Sequence, residues 1–134
     1  MLPLLAVAAL ATGGCGDDGS AATETSALPK LFATVGANEI SLMTEDGAEV
    51  TTRLPPGRYL LEIDDRSTAH NFHLAGARAR VEGATDVATS VAGTGEKTTV
   101  ILLRDHESYH YFCDAHPATM NVTFSVHGWP LTRN

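Results

Sequence analysis

The sequence is poor in cysteine, in basic residues and in long apolar runs. Only two of its 134 residues are cysteine, Cys15 and Cys113. Its 9 Lys and Arg against 16 Asp and Glu give a formal net charge of −7, which excludes the positive surface needed to bind nucleic acid. The apolar run from Leu2 to Ala11 is too short to span a bilayer. No window keeps apolar residues at helical spacing for three turns, which argues against a helical fold.

The first residues have the pattern of an export signal. The apolar run followed by small residues, Thr12 to Gly14, is typical of a secretory signal peptide. Cys15 comes next and resembles the cleavage site of bacterial lipoproteins, whose cysteine becomes the lipid-modified first residue. We therefore predict a signal peptide over residues 1–14 and lipidation at Cys15, which places the protein in the periplasm or on the outer face of the cell membrane. A plain signal peptide and an uncleaved anchor stay open as alternatives.

A polar segment separates Cys15 from the rest of the chain. Residues 15–29 are rich in Gly, Ser, Ala and Thr and have no large apolar residue before Leu28. Such a segment buries too little apolar surface to offset its ordering entropy, so it is predicted to be a flexible linker from the membrane surface. Residues 30–134 have the length of one small domain without internal repeats, and we expect it to be a monomer.

This domain has the pattern of short strands separated by turns. Turn residues at 45–47 ("EDG") and 55–57 ("PPG") bound segments rich in apolar and β-branched residues. Seven such strands with frequent turns predict an all-β antiparallel sandwich or barrel. The predicted strands cover residues 30–36, 39–44, 58–64, 70–76, 97–103, 108–113 and 121–128.

Cys113 is the one cysteine inside this domain. Exported proteins normally pair their cysteines, so an unpaired Cys113 indicates a reactive thiol or a metal ligand. A disulfide with Cys15 is the alternative, and it is disfavoured because Cys15 borders a removed segment. In the segment Cys113-x-x-His116-x-x-x-Met120, one loop between two strands can direct a thiolate, an imidazole and a thioether at one point. Soft sulfur ligands with imidazole suit copper, whereas a thioether is a poor ligand for zinc.

A copper site of the blue type needs a second histidine from a distant strand. The segment "STAHNFHLAG" offers His70 and His73. Because side chains alternate along a strand, these two histidines are expected on opposite faces, so only one of them can be the ligand.

The His-Asn pair at residues 70–71, combined with Cys-x-x-His and a following Met, resembles the cupredoxins, the group of plastocyanin, pseudoazurin and amicyanin. The resemblance covers roughly residues 30–128. It implies a Greek-key β-sandwich that holds one type 1 copper ion at one end and carries single electrons between larger redox proteins. It also implies that His70, Cys113, His116 and Met120 are the copper ligands and that His73 is not one.

The resemblance extends to the groups around the ligands, with one departure. Family members often carry Ser or Thr directly after the cysteine, hydrogen-bonded to the Asn that follows the first histidine, and here that position is Asp114. We predict that the Asn71 amide donates to the Asp114 carboxylate. We also predict that the backbone N–H groups of Asn71 and Ala115 point at the Cys113 sulfur.

Enzymatic alternatives fit the residues poorly. Multicopper oxidases flank the cysteine with histidines, whereas Phe112 and Asp114 flank Cys113, and a binuclear copper centre needs two cysteines. Four protein ligands also leave little room for substrate. We therefore expect an electron carrier with basic docking partners and no enzymatic activity. A copper chaperone or storage protein of the cell envelope is the alternative. None of the other histidines, His106, His110 and His127, is assigned to a metal.

Overall fold

The computed structural model describes residues 27–78 and 83–128. The predicted signal peptide and lipidated Cys15 lie outside the described residues, as does most of the predicted linker. Within the described ranges the chain forms nine strands and no helix that is long and apolar enough to cross a membrane. The strands are β1 (Lys30–Val35), β2 (Ile40–Thr44), β3 (Arg53–Leu54), β4 (Gly57–Asp65), β5 (His73–Gly76), β6 (Asp86–Ala88), β7 (Gly95–Leu103), β8 (Glu107–Phe112) and β9 (Asn121–Val126).

The strands form two sheets, which confirms the predicted all-β fold. One sheet has the order β2-β1-β4-β7 and the other the order β3-β9-β8-β5-β6. Most neighbours are antiparallel, as expected, but β1 with β4 and β3 with β9 are parallel pairs. The expectation that all strands pair antiparallel was therefore wrong. β1 first forms a hairpin with β2, and the chain then returns so that β4 pairs with β1 in parallel.

Alternating side chains of the two sheets form the core. In β1, Leu31, Ala33 and Val35 are buried while the residues between them are partly exposed. Each large apolar side chain that is fully buried contributes about 1.5–3 kcal/mol from its removal from water. The largest buried side chains of the second sheet are Tyr109, Tyr111 and Phe124, and the two tyrosine rings each lie beside the Phe124 ring.

The segment predicted as one strand over residues 70–76 is divided. β5 begins only at His73, and residues 70–72 connect it to the preceding turn. The alternation expected for this segment fails there, since Asn71 and Phe72 are both buried. The strands β3 and β6 were not predicted, because runs of two and three residues are too short to show a period.

The sandwich has two ends, which are named here by the strands that begin and finish there. We call the end where β4 and β8 finish and β9 begins the upper pole. The lower pole is the end where β4 and β8 begin and β9 finishes. Cys113 directly follows β8 and therefore lies at the upper pole, whereas His106 directly precedes β8 and lies at the lower pole.

Candidate metal centre

A turn after β4, in which Asp65 and Ser67 are buried, positions His70. The carboxylate of Asp65 accepts hydrogen bonds from the Ser67 backbone N–H (3.1 Å) and the Thr89 hydroxyl (2.6 Å). The Ser67 hydroxyl then accepts from the backbone N–H groups of Ala69 (3.1 Å) and His70 (3.0 Å). Because each of these polar groups has a partner, the turn is closely defined and His70 is directed toward the upper pole.

The loop from Cys113 to Met120 closes on itself between β8 and β9. Its first and last residues are joined by a hydrogen bond from the Cys113 N–H to the Met120 carbonyl (3.0 Å). Inside the loop, the His116 N–H donates to the Cys113 carbonyl (3.1 Å) and the Met120 N–H to the His116 carbonyl (2.9 Å). Cys113 is fully buried, whereas His116 is exposed. The loop thus places its thiol inside the protein and its imidazole at the surface.

Three of the sequence-predicted ligand side chains converge at the upper pole. The Nδ1 atoms of His70 and His116 are 3.1 Å apart, and the Cys113 sulfur lies 3.7 Å from the first and 3.8 Å from the second. The point equidistant from these three atoms is about 2.1 Å from each, within the usual metal–imidazole and metal–thiolate distances of about 2.0–2.3 Å. Met120 lines the same shallow cavity as His70 and His116. The donor set therefore fits a copper ion.

The structure contains the hydrogen bond predicted between Asn71 and Asp114. The Asn71 amide donates to the Asp114 carboxylate at 2.6 Å and to the Thr89 carbonyl at 3.0 Å. The Asp114 backbone N–H donates in return to the Asn71 side-chain oxygen at 2.8 Å. The two segments that carry His70 and Cys113 are therefore joined twice through Asn71. The N–H···S hydrogen bonds from Asn71 and Ala115 stay predictions.

His73 takes part in this network, which the sequence reasoning missed. Its Nδ1 lies 2.8 Å from Asp114 and its Nε2 lies 2.5 Å from Asp86, while its ring stacks on Phe112 with centroids 4.5 Å apart. The imidazole thus links β5, β6 and the start of the ligand loop. The carboxylate of Asp114, directly after the cysteine, was the signal in the sequence that could have revealed such a partner.

The pKa values of His73 and Asp114 each result from two opposing effects. Partial burial lowers the pKa of His73, but the hydrogen bonds to Asp114 and Asp86 outweigh it and raise the pKa above its ordinary value. Partial burial raises the pKa of Asp114, but the hydrogen bonds from His73 and Asn71 outweigh it and lower the pKa. Both shifts favour an imidazolium held between carboxylates.

The chain is similar to known copper-binding proteins. The family of copper-binding proteins described as plastocyanin/azurin matches residues 37–127, and no curated protein matches the chain. Reduced auracyanin from Roseiflexus castenholzii is 16% identical, with a TM-score of 0.49 over 72% of this chain and 95% of its own. Rusticyanin is 15% identical, with a TM-score of 0.50 over 72% and 76%. An oxidised amicyanin variant is 15% identical, with a TM-score of 0.44 over 72% and 81%. The chain belongs to the plastocyanin/azurin family of copper proteins, the cupredoxins, whose general role is electron transfer.

Proposed function

We propose that this protein carries single electrons between redox partners outside the cytoplasm, using one type 1 copper ion held by His70, Cys113, His116 and Met120. The observation that supports the proposal is the convergence of one thiol and two imidazole nitrogens at metal-binding distances. When bound, copper supplies a one-electron couple between Cu(II) and Cu(I). A His₂Cys set with a weak axial Met is the ligand set of blue-copper electron-transfer sites.

The surrounding residues would keep the ligands in place during electron transfer. The paired hydrogen bonds between Asn71 and Asp114 join the two ligand-bearing segments, and the loop is closed by the Cys113–Met120 hydrogen bond. Hydrogen-bonded partners of this kind orient ligands and tune a metal site. A site that changes little between two oxidation states suits a carrier better than a protein that must release its metal.

Electrons would enter and leave through the surface around His116. This histidine is exposed, and the residues after it, Pro117 and Ala118, are exposed as well and carry no charge. An uncharged surface allows a partner to approach closely without the cost of desolvating ionised groups. By contrast, Cys113 has no exposed area. That burial argues against a copper chaperone, which needs accessible thiol or thioether groups to pass on its ion.

Adding Cu(II) to the purified apo-protein tests the proposal. We expect an intense thiolate-to-copper band in the visible spectrum that a reductant bleaches reversibly. His70→Ala should abolish the band, whereas the matched variant His73→Ala should retain it. The reverse pattern would refute the ligand assignment. Absence of the blue band with Cu(II), together with tight binding of Cu(I) supplied under a reductant, would favour the storage or delivery alternative instead.

A further inference from the structure

A second group of metal-binding side chains lies at the lower pole. The side chains of Asp105, His106 and His127 each place a possible ligand atom within 4.8 Å of the others. Asp105 and His106 directly precede β8, and His127 directly follows β9. The ladder between these strands ends at the pair Glu107 and Val126, and the His106 N–H still donates to the Val126 carbonyl (2.9 Å). The two histidines are therefore cross-strand neighbours, with ring centroids 5.5 Å apart.

The Asp105 carboxylate is already oriented by the backbone. Its Oδ1 accepts hydrogen bonds from the N–H groups of His106 (3.0 Å) and Gly128 (3.1 Å). Its Oδ2 faces the His106 Nε2 at 3.5 Å. One oxygen thus fixes the side chain, and the other points toward the imidazoles. Orientation of a carboxylate by hydrogen bonds is a usual feature of metal sites.

The backbone of His106 has an uncommon conformation. Its φ is +60°, and among the described residues it is the one non-glycine residue with a positive φ. This conformation is uncommon for a residue with a side chain, although histidine adopts it more readily than most. In this turn the Asp105 Oδ2 and the His106 Nε2 lie 3.5 Å apart. The sequence alone assigned neither His106 nor His127 to a metal, and the two residues, 21 positions apart in the chain, are brought together by the pairing of β8 with β9.

We propose that Asp105, His106 and His127 form a second metal site, which binds one divalent transition-metal ion of the Zn(II) or Cu(II) kind. Two imidazoles with one carboxylate provide borderline nitrogen donors and a hard oxygen donor, and no sulfur. This set favours divalent ions over Cu(I) and leaves coordination positions open for water. The Arg53 guanidinium, which donates to the Gly128 carbonyl, weakens the attraction for a cation, and the Asp105 charge opposes that effect.

The two sites are far enough apart to be studied separately. Cys113 follows His106 by seven positions across the extended strand β8, which corresponds to about 23 Å. An ion at the lower pole therefore contacts none of the proposed copper ligands. The second site does not depend on the proposed function, because none of its residues belongs to the upper pole.

Calorimetric titration of the copper-loaded protein with Zn(II) tests the second site. We expect one equivalent to bind while the blue absorbance stays constant, which shows that zinc has not displaced copper. His106→Ala and His127→Ala should each weaken zinc binding by about tenfold or more. Asp105→Asn retains an oxygen that accepts from the backbone but removes the charge, and should weaken binding as well. His110→Ala is the matched control, since His110 stacks on Phe112 outside the cluster, and should bind zinc normally.

The thermal stability of the same proteins provides a second measurement. An ion that bridges the start of β8 and the end of β9 binds only the folded state, so zinc should raise the melting temperature of the wild type and of His110→Ala. The increase should be absent in His106→Ala and His127→Ala. Wild-type affinity in either of these variants, an equal loss in His110→Ala, or no zinc binding at all would overturn the proposal.

Discussion

Asp114 connects more of the upper pole than any ligand does. Its carboxylate oxygens contact Asn71 and His73 separately, and its backbone N–H donates to Asn71. Through these contacts one residue joins the turn that carries His70, the strand β5 and the loop that begins at Cys113. Asp114 also adjoins Cys113 in the sequence, so its negative charge lies close to the proposed copper ion.

Removing this charge is expected to raise the reduction potential. A nearby carboxylate stabilises Cu(II) over Cu(I), so Asp114→Asn should raise the potential by on the order of tens of millivolts at an effective dielectric constant between those of protein and water. The asparagine retains a carbonyl oxygen that can accept from Asn71. Voltammetry on the copper-loaded protein measures the change.

Removal of a distant charge provides the control for Asp114→Asn. Glu45 lies in the turn after β2, which contributes to the lower pole. Glu45→Gln removes the same charge and should leave the potential nearly unchanged because solvent screens it. An unchanged or lowered potential in Asp114→Asn would mean that the carboxylate does not act on the copper.

His73 is expected to stabilise the fold in a defined pH range. Its pKa is raised in the folded state, so its contribution is fully present below the unfolded pKa of about 6.5 and is lost as the pH rises through the folded value. The contribution also requires ionised Asp114, whose lowered folded pKa keeps it charged above about pH 4. His73→Gln should therefore cost about 1 kcal/mol near pH 5.5 and less near pH 8.5.

Denaturant unfolding of the copper-loaded wild type and variant at both pH values checks this expectation. His110→Gln is the control, since the His110 ring stacks on Phe112 from the same strand but has no carboxylate partner among the described contacts. If His73→Gln costs the same free energy at both pH values, His73 contributes by packing on Phe112 and not through its charge.

At the level of elements, segments rich in apolar and β-branched residues predicted the long strands but not their arrangement. β1, β4, β7, β8 and β9 lie close to their predicted positions because each carries enough apolar or β-branched residues to show a pattern. The parallel pairing of β1 with β4 is a long-range choice that no local pattern contains. Residues 70–72 were assigned to a strand for their apolar content, but the hydrogen bonds of Ser67 and Asn71 hold them in another conformation.

In the candidate site, too, the sequence indicated what is local but not what depends on long-range pairing. Cys113, His116 and Met120 are close in sequence, so their spacing alone indicated one loop. The choice of His70 depended on the family resemblance, since the strand alternation used to separate His70 from His73 does not hold before residue 73. The bridge from His73 to Asp86 joins residues 13 positions apart through the pairing of β5 with β6, which the sequence did not predict.

The antiparallel pairing of β5 with β8, in which Gly76 lies opposite Tyr109, gives a prediction about packing. A Cβ atom on Gly76 would lie 2.9 Å from Cε1 and 3.2 Å from Cδ1 of Tyr109. This ring cannot move easily, since it is buried and its hydroxyl accepts from the Arg104 N–H and donates to Glu107. Gly76→Ala should therefore lower the free energy of unfolding by about 1–3 kcal/mol.

Gly93→Ala is the matched control for this substitution. An added Cβ there meets only the Ser90 side chain at ordinary contact distances of 3.5 and 3.6 Å. Its free energy of unfolding should stay within about 0.5 kcal/mol of the wild type. Equal stability of the two variants in denaturant titrations would show that the Tyr109 ring moves aside at little cost in free energy.

In the whole molecule, the chain enters the sandwich at the pole opposite the proposed copper ion. The Pro29 carbonyl accepts from the Leu60 N–H near the start of β4, and Pro29 lines one cavity with Leu54 and Tyr59. A lipid at Cys15, followed by a linker that ends at this pole, would leave the exposed His116 at the end of the domain far from the point of attachment.

Substitution of Cys15 tests the predicted lipid anchor. If Cys15 carries the lipid, Cys15→Ser should move the protein from the membrane fraction to the soluble fraction, because the apolar leader is removed on export and nothing else in the linker is apolar enough to bind a bilayer. Cys113→Ser is the matched control, since it removes the other cysteine: it should abolish the blue colour and leave the protein on the membrane. Fractionation with immunoblotting separates the outcomes. An unprocessed Cys15→Ser protein that stays in the membrane fraction would identify the leader as an uncleaved anchor, whereas wild-type protein in the soluble fraction would indicate a plain signal peptide.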